Sequence, residues 1–174
     1  MIAASAHDEG AAGVLRWSLV GLAGIGIVGT AAELALERHW DGLEQLIPWA
    51  FVGVAVVAFI LLVAVPRPAA IWTVRLLALV VLVGVPIGLW RHINANYNAG
   101  FLDYRYADTW PTMSAAGRWF RAATKTVGPA PILAPAVLGQ VAVCLLAATL
   151  RHPSLRARNL EAATTDSGPP ATAE

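Results

Sequence analysis

Apolar residues along this chain collect in long runs and do not recur at a helical or strand period. Four runs cover residues 17–36, 47–65, 71–90 and 132–150. A membrane-spanning helix needs about 20 predominantly apolar residues to cross a hydrocarbon layer of roughly 30 Å. The pattern therefore predicts an all-α fold, an integral membrane bundle of four transmembrane helices.

The first run is the weakest of the four, because its charge-free stretch ends at Ala32. An alternative interpretation makes it a cleaved signal peptide, with Arg16 before the apolar region and small residues at 29–31 as the cleavage site. Asp8 and Glu9 disfavour this interpretation, since a signal peptide begins with a positively charged region. We expect the run to be retained as a span after a cytoplasmic N-terminal segment, residues 1–16.

The connections between the runs predict how the spans are arranged. Pro66-Arg67-Pro68 predicts a short link and an antiparallel hairpin of the second and third spans. Residues 91–131 form a long loop, and residues 151–174 predict a disordered cytoplasmic tail. Basic residues are equally numerous on the two sides, but the first loop is acidic and the second link is basic. This difference favours an orientation with both termini inside.

Composition and charge exclude several classes of protein. The chain of 174 residues is 57% hydrophobic and 13% charged, whereas soluble domains contain roughly 25% charged residues. A net charge of +1 gives no electrostatic basis for a nucleic-acid partner. The single cysteine, Cys144, permits neither an internal disulfide nor a cysteine-rich metal site. No cofactor is predicted.

Glu33 is an ionisable residue near the end of the first run, and Glu37 and His39 follow it. In the predicted topology these three residues share the outer face with Arg91 and His92. Charges at this depth are costly and mark either a site or a structural pairing. A Glu33–Arg91 pair joining two helices is favoured over a proton or ion relay. A divalent metal site is the least favoured, because no spacing here matches a metal motif.

Two further features concern the packing of helices. Gln140 lies near the middle of the fourth run, where we expect it to hydrogen-bond to a neighbouring helix. At 100° per residue, small residues of the first run fall within a narrow arc and predict a helix-packing face: Ser18, Gly21, Gly29 and Ala32. The helix that packs there belongs either to this chain or to a different subunit, and the sequence does not separate these alternatives.

The long loop is predicted to contain helix at both of its ends. The third span is expected to continue past the membrane and to turn at Gly100. Residues 114–127 predict a short amphipathic helix lying in the outer membrane interface. A cap that docks a protein or a lipid headgroup is the alternative. The residues predicted for this interfacial helix are Arg118, Trp119, Phe120, Arg121 and Lys125.

Short motifs resemble a loose group of small four-span proteins of the bacterial inner membrane. They are Glu-Leu-Ala-Leu-Glu-Arg-His-Trp at 33–40, Ile-Pro at 47–48, Leu-Ala-Pro at 133–135 and Arg-His-Pro at 151–153. The resemblance covers most of residues 17–153. It implies a four-span architecture in a bacterial inner membrane, and it carries no activity that transfers to this chain.

The chain has no phosphate-binding glycine loop and no serine or cysteine nucleophile placed with a histidine. We therefore expect a non-enzymatic protein, an accessory or scaffold subunit of a bacterial inner-membrane complex. A small proton- or ion-handling protein that uses the Glu/His cluster is the alternative. The expected partners are the lipid bilayer and another membrane subunit.

Overall fold

The computed structural model describes residues 2–155, and every regular element among them is helical. A 3-10 turn, Gly100–Leu102, follows the third helix. The predicted disordered tail lies outside the described residues from residue 156 onward. The α-helices are α1 (Ile2–Leu36), α2 (Leu43–Ala64), α3 (Pro68–Ala99), α4 (Ala115–Ala123) and α5 (Ala134–Ala148).

Three helical segments among the described residues are long and apolar enough to cross a membrane: Gly10–Leu36, Leu43–Ala64 and Pro68–Leu102. Helix α5 is apolar but has 15 residues. At 1.5 Å per residue it is shorter than a hydrocarbon layer of roughly 30 Å. The structure therefore has the character of a membrane protein, with three of the four predicted spans at full length.

The ends of the long helices agree with the sequence pattern. Helix α2 ends at Ala64, and Pro68 occupies the first turn of α3, where its missing N–H costs no hydrogen bond. The predicted short link is confirmed, and it occupies residues 65–67. Helix α3 continues to Ala99 and turns at Gly100, so the predicted extension of the third span is also confirmed.

Helix α5 lies between α1 and α3 and also contacts α2, which packs against both α3 and α1. The centre of this bundle is rich in alanine. Small side chains let helix backbones approach closely, and this is how helices associate where lipid removes the hydrophobic driving force. The fully buried alanines are Ala23, Ala55, Ala58, Ala78 and Ala142.

Two glycines place α1 against its neighbours. A Cβ added at Gly26 would lie 2.5 Å from Cγ2 of Val141 on α5. A Cβ added at Gly24 would lie 3.3 Å from the Phe59 ring on α2. Helix α1 therefore packs through Gly24 and Gly26.

The predicted small-residue face of α1 points the other way. Ser18, Gly21, Gly29 and Ala32 are all exposed, and nothing lies within 4 Å of a Cβ added at Gly21 or Gly29. The alternative in which this face packs against another span of the same chain is therefore wrong for the described residues. The alternative, a different subunit, stays a prediction.

The C-terminal end of α5 is held by arginines from two other helices. Arg75 of α3 donates from Nε to Thr149 Oγ1 and from Nη2 to Thr149 O, each at 3.0 Å. Arg16 of α1 donates to Ala148 O at 3.3 Å. Carbonyls at the end of a helix lack partners within it, and these guanidinium groups supply them. Burial, together with the charges of Arg16 and Arg75, lowers the pKa of the neighbouring His152.

We expect Gly26→Ala to destabilise the bundle by about 1–3 kcal/mol, because the added methyl group overpacks against the stiff, branched side chain of Val141. Gly21→Ala is the matched control on the same helix. It should preserve or raise stability, since alanine exceeds glycine in helix propensity by about 1 kcal/mol. Thermal unfolding of the detergent-solubilised protein, followed by circular dichroism, measures both. Equal melting temperatures for the two variants would contradict the assigned packing face.

Candidate functional site

The predicted Glu/His cluster lies at the end of the bundle where α1 ends and α2 begins. We call this the cap end, because residues 91–131, the cap, cover it. The Glu37 N–H still donates to Glu33 O at 2.9 Å, but Arg38 then adopts a positive φ of 50°. His39 turns back and donates from its N–H to Leu34 O at 2.9 Å. Glu37 and His39 therefore belong to a turn, and only Glu33 remains on the helix.

The turn is fastened to the start of α2. The indole Nε1 of Trp49 donates to His39 O at 2.8 Å. Because the backbone carbonyl of His39 accepts this hydrogen bond, the contact does not involve the His39 imidazole. The indole N–H of Trp49 therefore has its partner within the protein.

Arg91 forms its ion pair with Glu44 on α2. The favoured Glu33–Arg91 pair does not form, and that prediction is wrong. The Arg91 and Glu44 side chains are 50% and 72% exposed, and an exposed pair contributes about 0–1 kcal/mol. Arg91 thus connects α3 to α2, and Glu33 has no ion-pair partner among residues 10–155.

His92 contacts the segment that leads into α5. Its Nδ1 lies 2.7 Å from Pro131 O. A carbonyl oxygen only accepts hydrogen bonds, so Nδ1 carries the proton and donates it, which leaves Nε2 as an acceptor in the neutral ring. The ring is half-buried. His92 thereby binds a residue, Pro131, that lines the same groove as Glu33, and a joint role of Glu33, His39 and His92 stays a prediction.

An open groove of about 580 Å³ runs beside this neighbourhood. Its walls are mostly apolar, and Glu33 and Lys125 are the charged residues among those that line it. The Lys125 ammonium donates to Pro129 O at 2.6 Å. Within the described part of the chain, no three His, Cys, Asp or Glu side chains are grouped closely enough to hold a metal ion. The groove therefore combines one free carboxylate with an apolar wall.

Asn96 is the central polar residue of the cap, and the sequence did not single it out. Its side chain is fully buried. Nδ2 donates to Ala130 O at 3.0 Å, and Oδ1 accepts from the Ala130 N–H at 2.8 Å. Gly128 has a φ of +81°, and a Cβ there would lie 2.6 Å from the Asn96 Cα. Asn96 thus fixes the chain just before α5, and only glycine fits at position 128.

The cap packs on α3 through an aromatic stack. Trp119 of α4 stacks on Trp90 at 5.1 Å and on Tyr97 at 4.3 Å between ring centroids. Tyr97 meets the buried Trp110 edge-on at 5.7 Å. Such pairs add about 0.5–1.5 kcal/mol each beyond the burial of their area. The stack makes the cap a second small core, separate from the core of the bundle.

The predicted amphipathic helix exists, but it is shorter than residues 114–127, and its aromatic residues divide between two sides. Trp119 faces α3, whereas Phe120 is 67% exposed. The Arg118 guanidinium lies 5.5 Å from the centre of the Tyr97 ring, and that of Arg121 lies 4.8 Å from the Tyr106 ring. Two of the basic residues therefore stabilise the cap, and only Phe120 is an outward apolar residue of the predicted set.

Gln140 lies on the outer surface of α5 and is exposed. Its amide makes no hydrogen bond to any residue between 10 and 155, so the predicted contact with a neighbouring helix is not made within this part of the chain. The residues on both sides of it, Gly139 and Val141, are buried. Gln140 is thus a polar side chain that points away from the bundle at the middle of an apolar helix.

The chain matches no protein-family model, no curated protein and no solved structure.

We expect Asn96→Ala to destabilise the cap by about 1–3 kcal/mol, because the Ala130 N–H and C=O lose their partner in a largely buried site. Asn98→Ala is the matched control, since Asn98 is exposed and only two residues away. Limited proteolysis of residues 91–131, together with thermal unfolding, measures the effect. Faster cleavage is expected only for Asn96→Ala, and equal cleavage of both variants would contradict the role of Asn96.

Proposed function

We propose that this chain is a non-enzymatic, four-span accessory or scaffold subunit of a complex in the bacterial inner membrane. The observation that carries the proposal is the exposed small-residue face of α1, formed by Ser18, Gly21, Gly29 and Ala32. The described helices pack on the opposite side of α1, where Val20, Ala23 and Ile27 are buried. A face of small residues in a membrane helix permits a second helix to approach closely. The partner we propose is a transmembrane helix of another subunit.

The four-span architecture treats α5 as a short span. Apolar residues at 132–133 and 150 extend it at both ends. A span shorter than the hydrocarbon layer is accommodated by local thinning of the bilayer and by flanking side chains that reach the interface. Arg16 and Arg75 are such side chains at its C-terminal end. Both termini are then on the cytoplasmic side, and the cap is outside.

The α1 face is tested by the double variant Gly21→Leu/Gly29→Leu. The larger side chains fill the space that a partner helix needs, and we expect recovery of the partner to fall at least about tenfold. The chain's own melting temperature should not fall, because nothing contacts either position. Quantitative affinity purification from native membranes in mild detergent, with mass spectrometry of co-purifying proteins, measures the loss.

Gly53→Leu is the control for the α1 face, because Gly53 lies on α2, is exposed and has nothing within 4 Å of its added Cβ. This variant should recover the partner as well as the wild type does. Equal recovery with all variants would contradict the assignment of the partner to α1. Purification of the wild type as a monomer without any other protein would contradict the subunit proposal itself.

A second candidate function is the handling of protons or ions at the cap end. It is favoured by one observation: Glu33 has no ion-pair partner among the described residues and lines the open groove together with Pro131, whose carbonyl accepts from His92. A carboxylate and an imidazole at the edge of an apolar region are suited to exchanging a proton. The groove supplies a path to the aqueous phase in this proposal.

Glu33→Gln separates the two candidates, because it removes the charge and preserves the shape. Under the subunit proposal, partner recovery and melting temperature stay at wild-type values. Under the second candidate, the rate of proton uptake into vesicles containing the protein falls at least about tenfold while partner recovery is unchanged. Glu37→Gln is the control, since Glu37 is exposed and does not line the groove.

A further inference from the structure

The outward position of Gln140 requires a partner if α5 spans the membrane. An amide in hydrocarbon finds no water with which to form hydrogen bonds, and leaving it unpaired is strongly unfavourable. Lipid tails supply neither donor nor acceptor. The described chain does not supply one either, since Gln140 points away from α1, α2 and α3. This inference rests on the proposed four-span arrangement.

The residues that surround Gln140 on this surface follow a regular spacing. Beginning at Leu133, the intervals are 3, 4, 3, 4 and 3 residues. All members are exposed except Ala147, which is half-buried. Alternating intervals of three and four mark the contact stripe of a left-handed pair of helices. We call this stripe the α5 seam: Leu133, Ala136, Gln140, Val143, Ala147 and Leu150.

The composition of the α5 seam suits a close helix pair. Ala136 and Ala147 lie on either side of Gln140 and leave room for a second backbone. Val143 and the flanking leucines supply packing. A single polar residue at one core position of a helix pair fixes its register, because any shift leaves the polar group unpaired.

We propose that the α5 seam pairs with the α5 seam of a second copy of this chain, and that the two Gln140 side chains hydrogen-bond to each other. A glutamine amide carries both an acceptor and donors, so it is complementary to itself. All copies have the same orientation in a membrane, and a two-fold axis along the membrane normal brings each position on α5 opposite its own equivalent. The symmetry therefore places one Gln140 against the other.

This seam differs from the small-residue face of α1. The two surfaces belong to different helices, so a dimer formed through α5 leaves the α1 face available to another subunit. The assembly predicted by both proposals together is a symmetric pair of chains with one partner helix on each α1.

The test uses the full chain in vesicles of phosphatidylcholine and phosphatidylglycerol, with Cys144→Ala removing the buried native thiol. Ala136→Cys and Val143→Cys, each introduced alone, place a thiol on the seam. Mild oxidation should yield dimers of about twice the 18.3 kDa chain. Ile60→Cys on α2 and Leu76→Cys on α3 are controls, since Ile60 is 54% exposed and Leu76 is 62% exposed. Both control variants should remain monomeric.

Gln140 itself is tested in the same background. Gln140→Leu keeps the size of the side chain and removes the hydrogen bonds, so association should weaken about 3- to 30-fold when dimer fraction is followed against lipid dilution. Gln140→Asn retains an amide and should restore most of the association. Unchanged association with Gln140→Leu would overturn the pairing of the two amides.

Two additional outcomes overturn the inference, and one variant pair separates it from the proposed function. Equal cross-linking at seam and control positions, or monomers at every position, overturns the dimer. Pro129→Cys and Pro153→Cys report whether α5 crosses the bilayer, by labelling with a membrane-impermeant maleimide. Labelling from opposite sides without seam cross-links refutes the dimer alone. Labelling of both from one side refutes the four-span proposal.

Discussion

Helix α3 holds α5 at both of its ends, and the arrangement of the bundle depends on this. Arg75 binds Thr149 after the end of α5, and His92 binds Pro131 before its start. The two contacts are 17 residues apart on α3 (92 minus 75) and 18 apart on the α5 segment (149 minus 131). Because these separations are nearly equal and run in opposite directions, the two contacts fix the antiparallel register of α3 and α5. The same contacts give hydrogen-bond partners to backbone carbonyls at the two ends of α5.

The cap follows from the length of α3. Because α3 continues to Ala99, it carries Trp90, Asn96 and Tyr97 beyond its apolar run. These side chains hold α4 by stacking and the chain before α5 by hydrogen bonds. The cap is therefore a structural extension of α3 that positions α5. It also forms one wall of the groove beside Glu33, so a disturbance of Asn96 would reach the candidate site through Pro131 and Lys125.

Two outward surfaces distinguish this bundle from one that simply faces lipid. In a bilayer, helices associate through close packing and polar contacts, since lipid is as apolar as leucine. The small residues of α1 and the amide of Gln140 are features of that kind, and both point away from the core. The Glu33 carboxylate is a third outward polar feature, at the cap end. The α1 face motivates the proposed subunit role, Gln140 the dimer, and Glu33 the proton-handling role. Support decreases in that order.

The sequence by itself determined the helices. Apolar runs and prolines predicted α2, α3 and the link between them to within a few residues, because backbone in lipid must form internal hydrogen bonds and proline ends or begins a helix. The extension of α3 to Gly100 and the presence of α4 were also predicted. Topology placed Glu33 and His92 at the same end of the bundle, and both adjoin Pro131 there, Glu33 along the groove and His92 through a hydrogen bond.

Only the tertiary structure decided which faces and which charges meet. A helix that is apolar all round gives no sign of its inward side, so periodicity found a small-residue face on α1 and left open whether it faces this bundle or another subunit. Arg91 forms its ion pair with Glu44 and not with Glu33, because the loop after α1 brings the start of α2 next to α3. Asn96 was indistinguishable from Asn94 and Asn98 in sequence. Its burial depends on a contact with Ala130, 34 residues away, that local pattern does not encode.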